Sequence, residues 1–125
     1  MIDGDCYRMT KKSKAMSTVM SECGTLGGYL ASFDDFEHYE AVVSAGVSYG
    51  WFGSSGFWTG GMLEDGEYKW QGGPMDGDVI VDEVWEGGMA HELINNQQCV
   101  LGGFADGGLD SGNCKLSRYG LCQSW

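Results

Sequence analysis

Cys23-Gly24-Thr25-Leu26-Gly27-Gly28-Tyr29-Leu30-Ala31-Ser32 reads as the end of a helix that runs into a strand. Upstream of it, Ala15, Val19 and Cys23 fall at i, i+4 and i+8 with Met16 and Met20 alongside, which makes one apolar stripe facing a core. Lys11-Lys12-Ser13-Lys14 is the polar lead into this helix, which is expected to run to about Cys23 and to be ended by Gly27-Gly28. Cys6-Tyr7-Arg8-Met9 reads as a short opening strand.

Downstream, Ser32-Phe33-Asp34-Asp35 sets a hydroxyl three residues before a carboxylate, a pattern that satisfies the free backbone amides of a helix start. The second helix is expected to reach about Ala45, to bury Phe36, Tyr39 or Glu40, and Val43, and to stop at Gly46. His38 lies on it with no second ligand at helical spacing, so it is read as a surface or core-edge histidine. From Tyr49 onward helical periodicity gives way to short β-rich segments: Gly56-Phe57-Trp58-Thr59-Gly60, Tyr68-Lys69-Trp70, Cys99-Val100-Leu101 and Gly120-Leu121-Cys122. These read as a small antiparallel sheet. Between Trp85 and Cys122 lies an acidic, glycine-rich loop region that holds three of the five cysteines. Gly102-Gly103-Phe104-Ala105-Asp106-Gly107-Gly108 within it is a loop with an acid and no lysine, so it is not a phosphate cradle.

These segments together resemble the C-type lectin-like family. The family has a cysteine followed by Gly-Gly-x-Leu-Ala-Ser, and Cys23 to Ser32 matches it; Phe57-Trp58-Thr59-Gly60 matches its Trp-Ile-Gly core, and Tyr68-Lys69-Trp70-Gln71-Gly72 its Trp-x-Trp-x-x-Gly turn. Trp85 matches the loop tryptophan, and Cys23, Cys99, Cys114 and Cys122 match the four framework cysteines. The resemblance covers nearly the whole chain. It implies an α+β fold of two helices and small antiparallel sheets with a long loop region, as one domain over residues 1–125. It also implies two disulfides, Cys23 to Cys122 and Cys99 to Cys114, each worth about 3 to 5 kcal/mol in the chain-entropy model. Cys6 is then left over, either as a thiol whose partner lies about ten residues upstream in long-form members or as the bridge of a disulfide-linked dimer.

Family members that bind sugars through calcium use Glu-Pro-Asn or Gln-Pro-Asp, a glutamate just before a cysteine, and Trp-Asn-Asp, because calcium takes six to eight hard oxygen ligands. Here the first motif place holds Met89-Ala90-His91, Gln97 stands for the glutamate, and Leu109-Asp110-Ser111 stands for Trp-Asn-Asp. One carboxylate, one amide and one hydroxyl remain, so the usual calcium site is degenerate. The ligand and metal candidates are His91, Glu92, Gln97, Asp110 and Ser111, and His91, Glu92 and Asp110 offer the mixed nitrogen and oxygen set that suits zinc. The plainer reading is a loop histidine beside solvated acids. Calcium held by Asp76, Asp78, Asp82, Glu83 or Glu86 is another alternative, although Asp76-Gly77-Asp78 lacks the later ligands of an EF-hand. Trp58, Trp70 and Trp85 are expected in the core; Trp51 and Phe52 sit in a looser stretch, where core packing is again the expectation.

Composition bounds the function. The chain of 125 residues has 42% apolar residues and sixteen aromatics, enough to fold rather than remain a disordered acidic tail. Net charge is −11, and residues 64–113 carry eleven Asp or Glu against the single basic Lys69. Such a field repels phosphate backbones and anionic lipids, so nucleic acid is excluded as a partner and a basic protein surface is favoured. No stretch approaches membrane-spanning length and none reads as a signal peptide, while five cysteines argue for an extracellular setting; the expectation is a secreted protein whose signal has been removed. No nucleophile stands with a histidine and an acid at recognisable spacing, so an enzyme is not expected. The leading expectation is a recognition module that binds a glycan through its long loop region. Its alternative is a sugar-inactive protein-interaction domain that meets a basic partner, and a third reading is an acidic matrix component that gathers calcium diffusely.

Overall fold

The computed structural model describes residues 6–49, 56–64, 66–81, 84–85, 98–102 and 108–124, with side chains of the second helix described as far as Gly46. Helix α1 (Met16–Thr25) buries Val19 and Cys23 of the expected stripe together with Met16, whereas Ala15, expected on the same face, is the extended residue that caps the helix and is only half-buried. Its first amide is met from outside, by Met16 N donating to the Cys114 carbonyl at 2.9 Å. Its last turn closes on two bonds, Gly28 N to Cys23 O at 2.9 Å and Gly27 N to Gly24 O at 3.1 Å. That pair needs a left-handed residue just past the helix, and Gly27 supplies it at φ 86°. The chain is thereby turned into β2 (Tyr29–Leu30).

Helix α2 (Phe36–Tyr49) departs from the sequence reading at both ends. Its cap is Asp35, whose Oδ1 accepts from His38 N at 2.7 Å. Ser32 is three residues too early; it is buried, and its amide donates to Gln123 Oε1 at 3.0 Å. Gly46 does not stop the helix. It is buried mid-helix and does not adopt the positive φ a stop requires, so packing overrides a propensity cost of about 1 kcal/mol. The buried face is carried by Tyr39 and Val42, with Phe36 and Val43 half-buried and Glu40 exposed.

The remaining strands are β1 (Cys6–Met9), β3 (Phe57–Glu64), β4 (Glu67–Trp70), β5 (Cys99–Gly102), β6 (Asp110–Gly112) and β7 (Tyr119–Ser124). Sheet order is β1-β7-β3-β5-β6, with β2 also on β7 and β4 also on β3. The expected antiparallel sheet is in fact mixed, because β3 and β7 run parallel through Phe57 opposite Tyr119 and Trp58 opposite Gly120. β7 is the hub: β1 pairs it with Tyr7 opposite Gln123, and β2 pairs it with Tyr29 opposite the same Gln123.

Close approach explains the glycines of β3. A Cβ on Gly61 would lie 2.6 Å from Val100 Cγ2 and 2.8 Å from Ile80 Cδ1, and a bulge falls between Trp58 and Met62. The Thr59 hydroxyl spans that irregularity, donating to Val100 O at 2.9 Å and accepting from Gly61 N at 3.1 Å.

Two apolar clusters flank the sheet. One centres on Phe33, whose ring meets Tyr39 edge-on at 5.0 Å and Trp70 at 5.9 Å. The other gathers Met16, Val19, Leu30 and Trp58 around both disulfides. Trp58 is fully buried, and its indole N–H lies 3.1 Å from Lys14 O and 3.2 Å from Leu116 O. Cys23 bonds Cys122 and Cys99 bonds Cys114, with Cα separations of 5.3 and 5.2 Å; Cys6 keeps an exposed free thiol. Two structural disulfides suit an oxidising compartment. Among the described residues no helix is long and apolar enough to cross a membrane.

Candidate functional site

The described ends of the long loop region meet at a buried base. Leu109 N donates to Val84 O at 2.7 Å, and Trp85 bridges Leu109 in parallel, so the chain entering the loop at 85 and the chain leaving it at 108 are fastened side by side. Leu109, Val84 and Trp85 are all buried, and the Trp85 ring lies 5.0 Å from Tyr68. Leucine in place of the family tryptophan therefore still fills a buried apolar position.

Asp110 and Ser111 follow on β6, opposite Leu101 and Val100. Asp110 is half-buried, and its Oδ1 accepts from Ser111 N at 2.8 Å. Ser111 is only 6% exposed, and its side chain shares a hydrogen bond with Tyr68. Burial pushes the Tyr68 phenol above its ordinary value, the Asp110 charge pushes the same way, and the Ser111 bond opposes them. The structure thus joins Asp110 and Ser111 to Tyr68, which the sequence marks only as framework. These described donors offer calcium one carboxylate already engaged by backbone and one hydroxyl engaged by a phenol, which does not fit its demand for an open shell of oxygens.

His91, Glu92 and Gln97 lie outside the described residues, as do Asp82, Glu83, Glu86, Trp51 and Phe52. Among the described residues no group of three or more His, Cys, Asp or Glu is placed to hold a metal. Asp76 acts locally, where its Oδ1 accepts from Gly72 N at 2.7 Å and shapes the turn after β4. Trp58, Trp70 and Trp85 are core residues.

His38 sits at the core edge with a specific role. Its Nδ1 lies 3.0 Å from Asp34 Oδ1 and its Nε2 2.6 Å from the Tyr7 hydroxyl, so the ring ties the start of α2 to β1. No local signal marks Tyr7 as its partner, because the two are 31 residues apart.

A family model described as the lectin C-type domain matches residues 12–124. Among solved structures, the chain is similar to the cow C-type carbohydrate-recognition domain of CD23, determined in the presence of a GlcNAc2Man3 oligosaccharide: identity 20%, TM-score 0.72, covering 98% of this chain and 89% of that one. It is also similar to the carbohydrate-recognition domain of mouse scavenger receptor C-type lectin, with 16% identity, a TM-score of 0.76 and coverage of 99% and 92%. No curated protein sequence matches the chain. With the family model spanning nearly the whole chain, and the fold and both disulfides in agreement, the chain belongs to the C-type lectin domain family.

Proposed function

We propose that the chain is an extracellular, secreted recognition domain without enzymatic activity that binds a carbohydrate, such as a cell-surface glycan, non-covalently through its long loop region. The observation that carries this reading is the fastening of Val84 and Trp85 to Leu109, a buried base that joins the described ends of the loop region. Family membership supports it, as does the oligosaccharide with which the similar cow CD23 domain was crystallised. The poor fit of Asp110 and Ser111 to calcium favours recognition that does not depend on the usual calcium geometry; zinc at His91, Glu92 and Asp110 is the remaining metal reading.

A second reading is favoured by charge. Residues 64–113 carry eleven acids against one lysine, a surface suited to a basic protein partner, with electrostatics setting rate and orientation. Glycan-array binding with and without chelator, repeated as salt is raised, separates the two. Saturable glycan binding supports the carbohydrate reading. Its absence, with salt-sensitive capture of a basic protein such as lysozyme, replaces that reading with the protein-interaction one. Calorimetric titration with calcium and then zinc, on the native chain and on Asp110→Ala and His91→Ala, decides the metal: saturable binding lost in either variant places an ion at the loop.

A further inference from the structure

A cleft of about 220 Å³, lined by both polar and apolar side chains, opens between β2, the start of α2, the turn after β4 and the end of β7. No described residue of the long loop region lines it, and β3 and β5 separate β7 from the β6 strand of Asp110 in the sheet. Two of its lining residues are almost wholly buried: Ser32 at 4% exposure and Gln123 at 5%.

The orientation of Gln123 is fixed by chemistry. Ser32 N can only donate, so the atom it meets at 3.0 Å is Oε1, and the two N–H groups of Nε2 are directed elsewhere. Neither Gln123 Nε2 nor Ser32 Oγ has a hydrogen-bond partner among the described residues, and neither is sealed from solvent. Ser32 and Gln123 both line the cleft, so a ligand that enters it and displaces water meets an amide donor and a hydroxyl that no described protein group engages.

The rest of the lining narrows what that is. Both His38 nitrogens are already engaged, by Asp34 and Tyr7, leaving the Asp34 carboxylate as an exposed acceptor at the rim. The carbon atoms of the Tyr29 ring, with Pro74 and Met75, give an apolar wall. That wall is held in shape: Gly77 N donates to Trp70 O at 2.9 Å, Asp78 N to Met75 O at 2.9 Å, and Gly73 packs so closely on the Tyr29 ring that a Cβ would lie 2.4 Å from Cε2.

An anion is opposed by Asp34 and by the net charge of −11. An ammonium or guanidinium has no lone pair to accept from Gln123 Nε2. Hydroxyl groups both donate and accept, and a ring of them keeps an apolar C–H face for the wall. The volume falls below the roughly 300 Å³ at which drug-sized sites begin, and suits one small ring.

We propose that this cleft binds a neutral polyhydroxylated ligand the size of a single sugar ring, with Gln123 Nε2 and Ser32 Oγ as its buried hydrogen-bonding groups and Asp34 as the acceptor at its rim. The site is independent of the long loop and of any metal there.

The test is a side-chain and backbone amide NMR titration of the folded, disulfide-intact chain in chelator. The probes are D-mannose, D-galactose, N-acetyl-D-glucosamine and myo-inositol, with lysine amide and acetate as charged controls. At least one polyol is expected to give saturable shifts of the Gln123 side-chain amide and the Ser32 backbone amide. Affinity should fall by about tenfold or more in Ser32→Ala, and likewise in Gln123→Glu, which keeps an oxygen for Ser32 N while removing the donor. Asp110→Ala and His91→Ala should bind as the native chain does. No saturable shift with any polyol, tighter binding of either charged control, or binding unchanged in Ser32→Ala overturns the proposal. Loss in Asp110→Ala instead moves the ligand to the loop and also overturns it. Should Gln123→Glu fail to fold, Ser32→Ala decides alone.

Discussion

His38 Nε2 lies 2.6 Å from the Tyr7 hydroxyl, and this one bond fastens the opening strand to the second helix across 31 residues. The imidazole is held from its other side by Asp34 at 3.0 Å and packs edge-on against Phe33 at a centroid distance of 5.8 Å. Tyr7→Phe removes the hydroxyl while keeping the ring, and should lower unfolding free energy by about 0.5–1.5 kcal/mol. His38→Ala should cost more, since it also removes the contact with Phe33. Chemical denaturation of the two variants and their double mutant checks the coupling; additive losses would show that the bond contributes nothing of its own.

Reduction of the two disulfides should not be equivalent. Cys99 and Cys114 close 15 residues, whereas Cys23 and Cys122 close 99. The chain-entropy model assigns about 3 kcal/mol to the shorter closure and about 4.7 kcal/mol to the longer. Cys23→Ala with Cys122→Ala should therefore melt at a lower temperature than Cys99→Ala with Cys114→Ala, and differential scanning calorimetry gives the order directly. Against a total margin of roughly 5 to 15 kcal/mol, the longer bridge is the one whose loss most endangers folding.

Gly61→Ala should destabilise by about 1 to 3 kcal/mol, because the new methyl meets both Val100 and Ile80 inside close-packed β3 and β5. Gly66→Ala makes a useful contrast. Its Cβ meets nothing within 4 Å, but its φ of 82° is left-handed, so any loss there comes from backbone strain alone. A double-mutant cycle with Ile80→Val, which removes the Cδ1 that the new methyl meets, should show coupling with Gly61→Ala and none with Gly66→Ala, as measured by urea unfolding.

Tyr68 predicts an alkaline limit. Burial raises its folded-state pKa above the unfolded value of 10.0, so the neutral phenol is the form the folded chain prefers. Its contribution to stability is complete below 10.0 and is lost as pH rises from there through the higher folded-state pKa. Melting temperature should fall over that window, and Tyr68→Phe should flatten the fall. An ultraviolet titration in which all phenols ionise together at the ordinary value would contradict this.

The parts of the fold legible from sequence are those encoded locally. The burial of Val19 and Cys23, the stop at Gly27 and the burial of Trp58, Trp70 and Trp85 follow from spacing within a few residues, or from side chains too large and apolar to leave in water, although Ala15 of the same stripe lies just outside the helix. The cysteine pattern reached further, because four framework cysteines at family spacing carry their pairing with them. The cap of α2 lies three residues from the expected one for a local reason as well: Ser32 and Asp35 are both good caps, and choosing between them needs the partner of Ser32 N.

That partner, Gln123, lies 91 residues away, and nothing near either residue announces it. The sequence by itself determined the two helices and the acidic field, which rest on periodicity and composition, while its resemblance to the C-type lectin-like family implied the fold and the disulfide framework. Only the tertiary structure decided that β7 is shared by β1, β2 and β3, that Ser111 bonds Tyr68 instead of facing solvent, and that Ser32, Gln123, Asp34 and Met75 line one cleft. The reason is physical: hydrophobic periodicity fixes which face of an element turns inward, but strand register and polar pairing are settled only when distant elements meet.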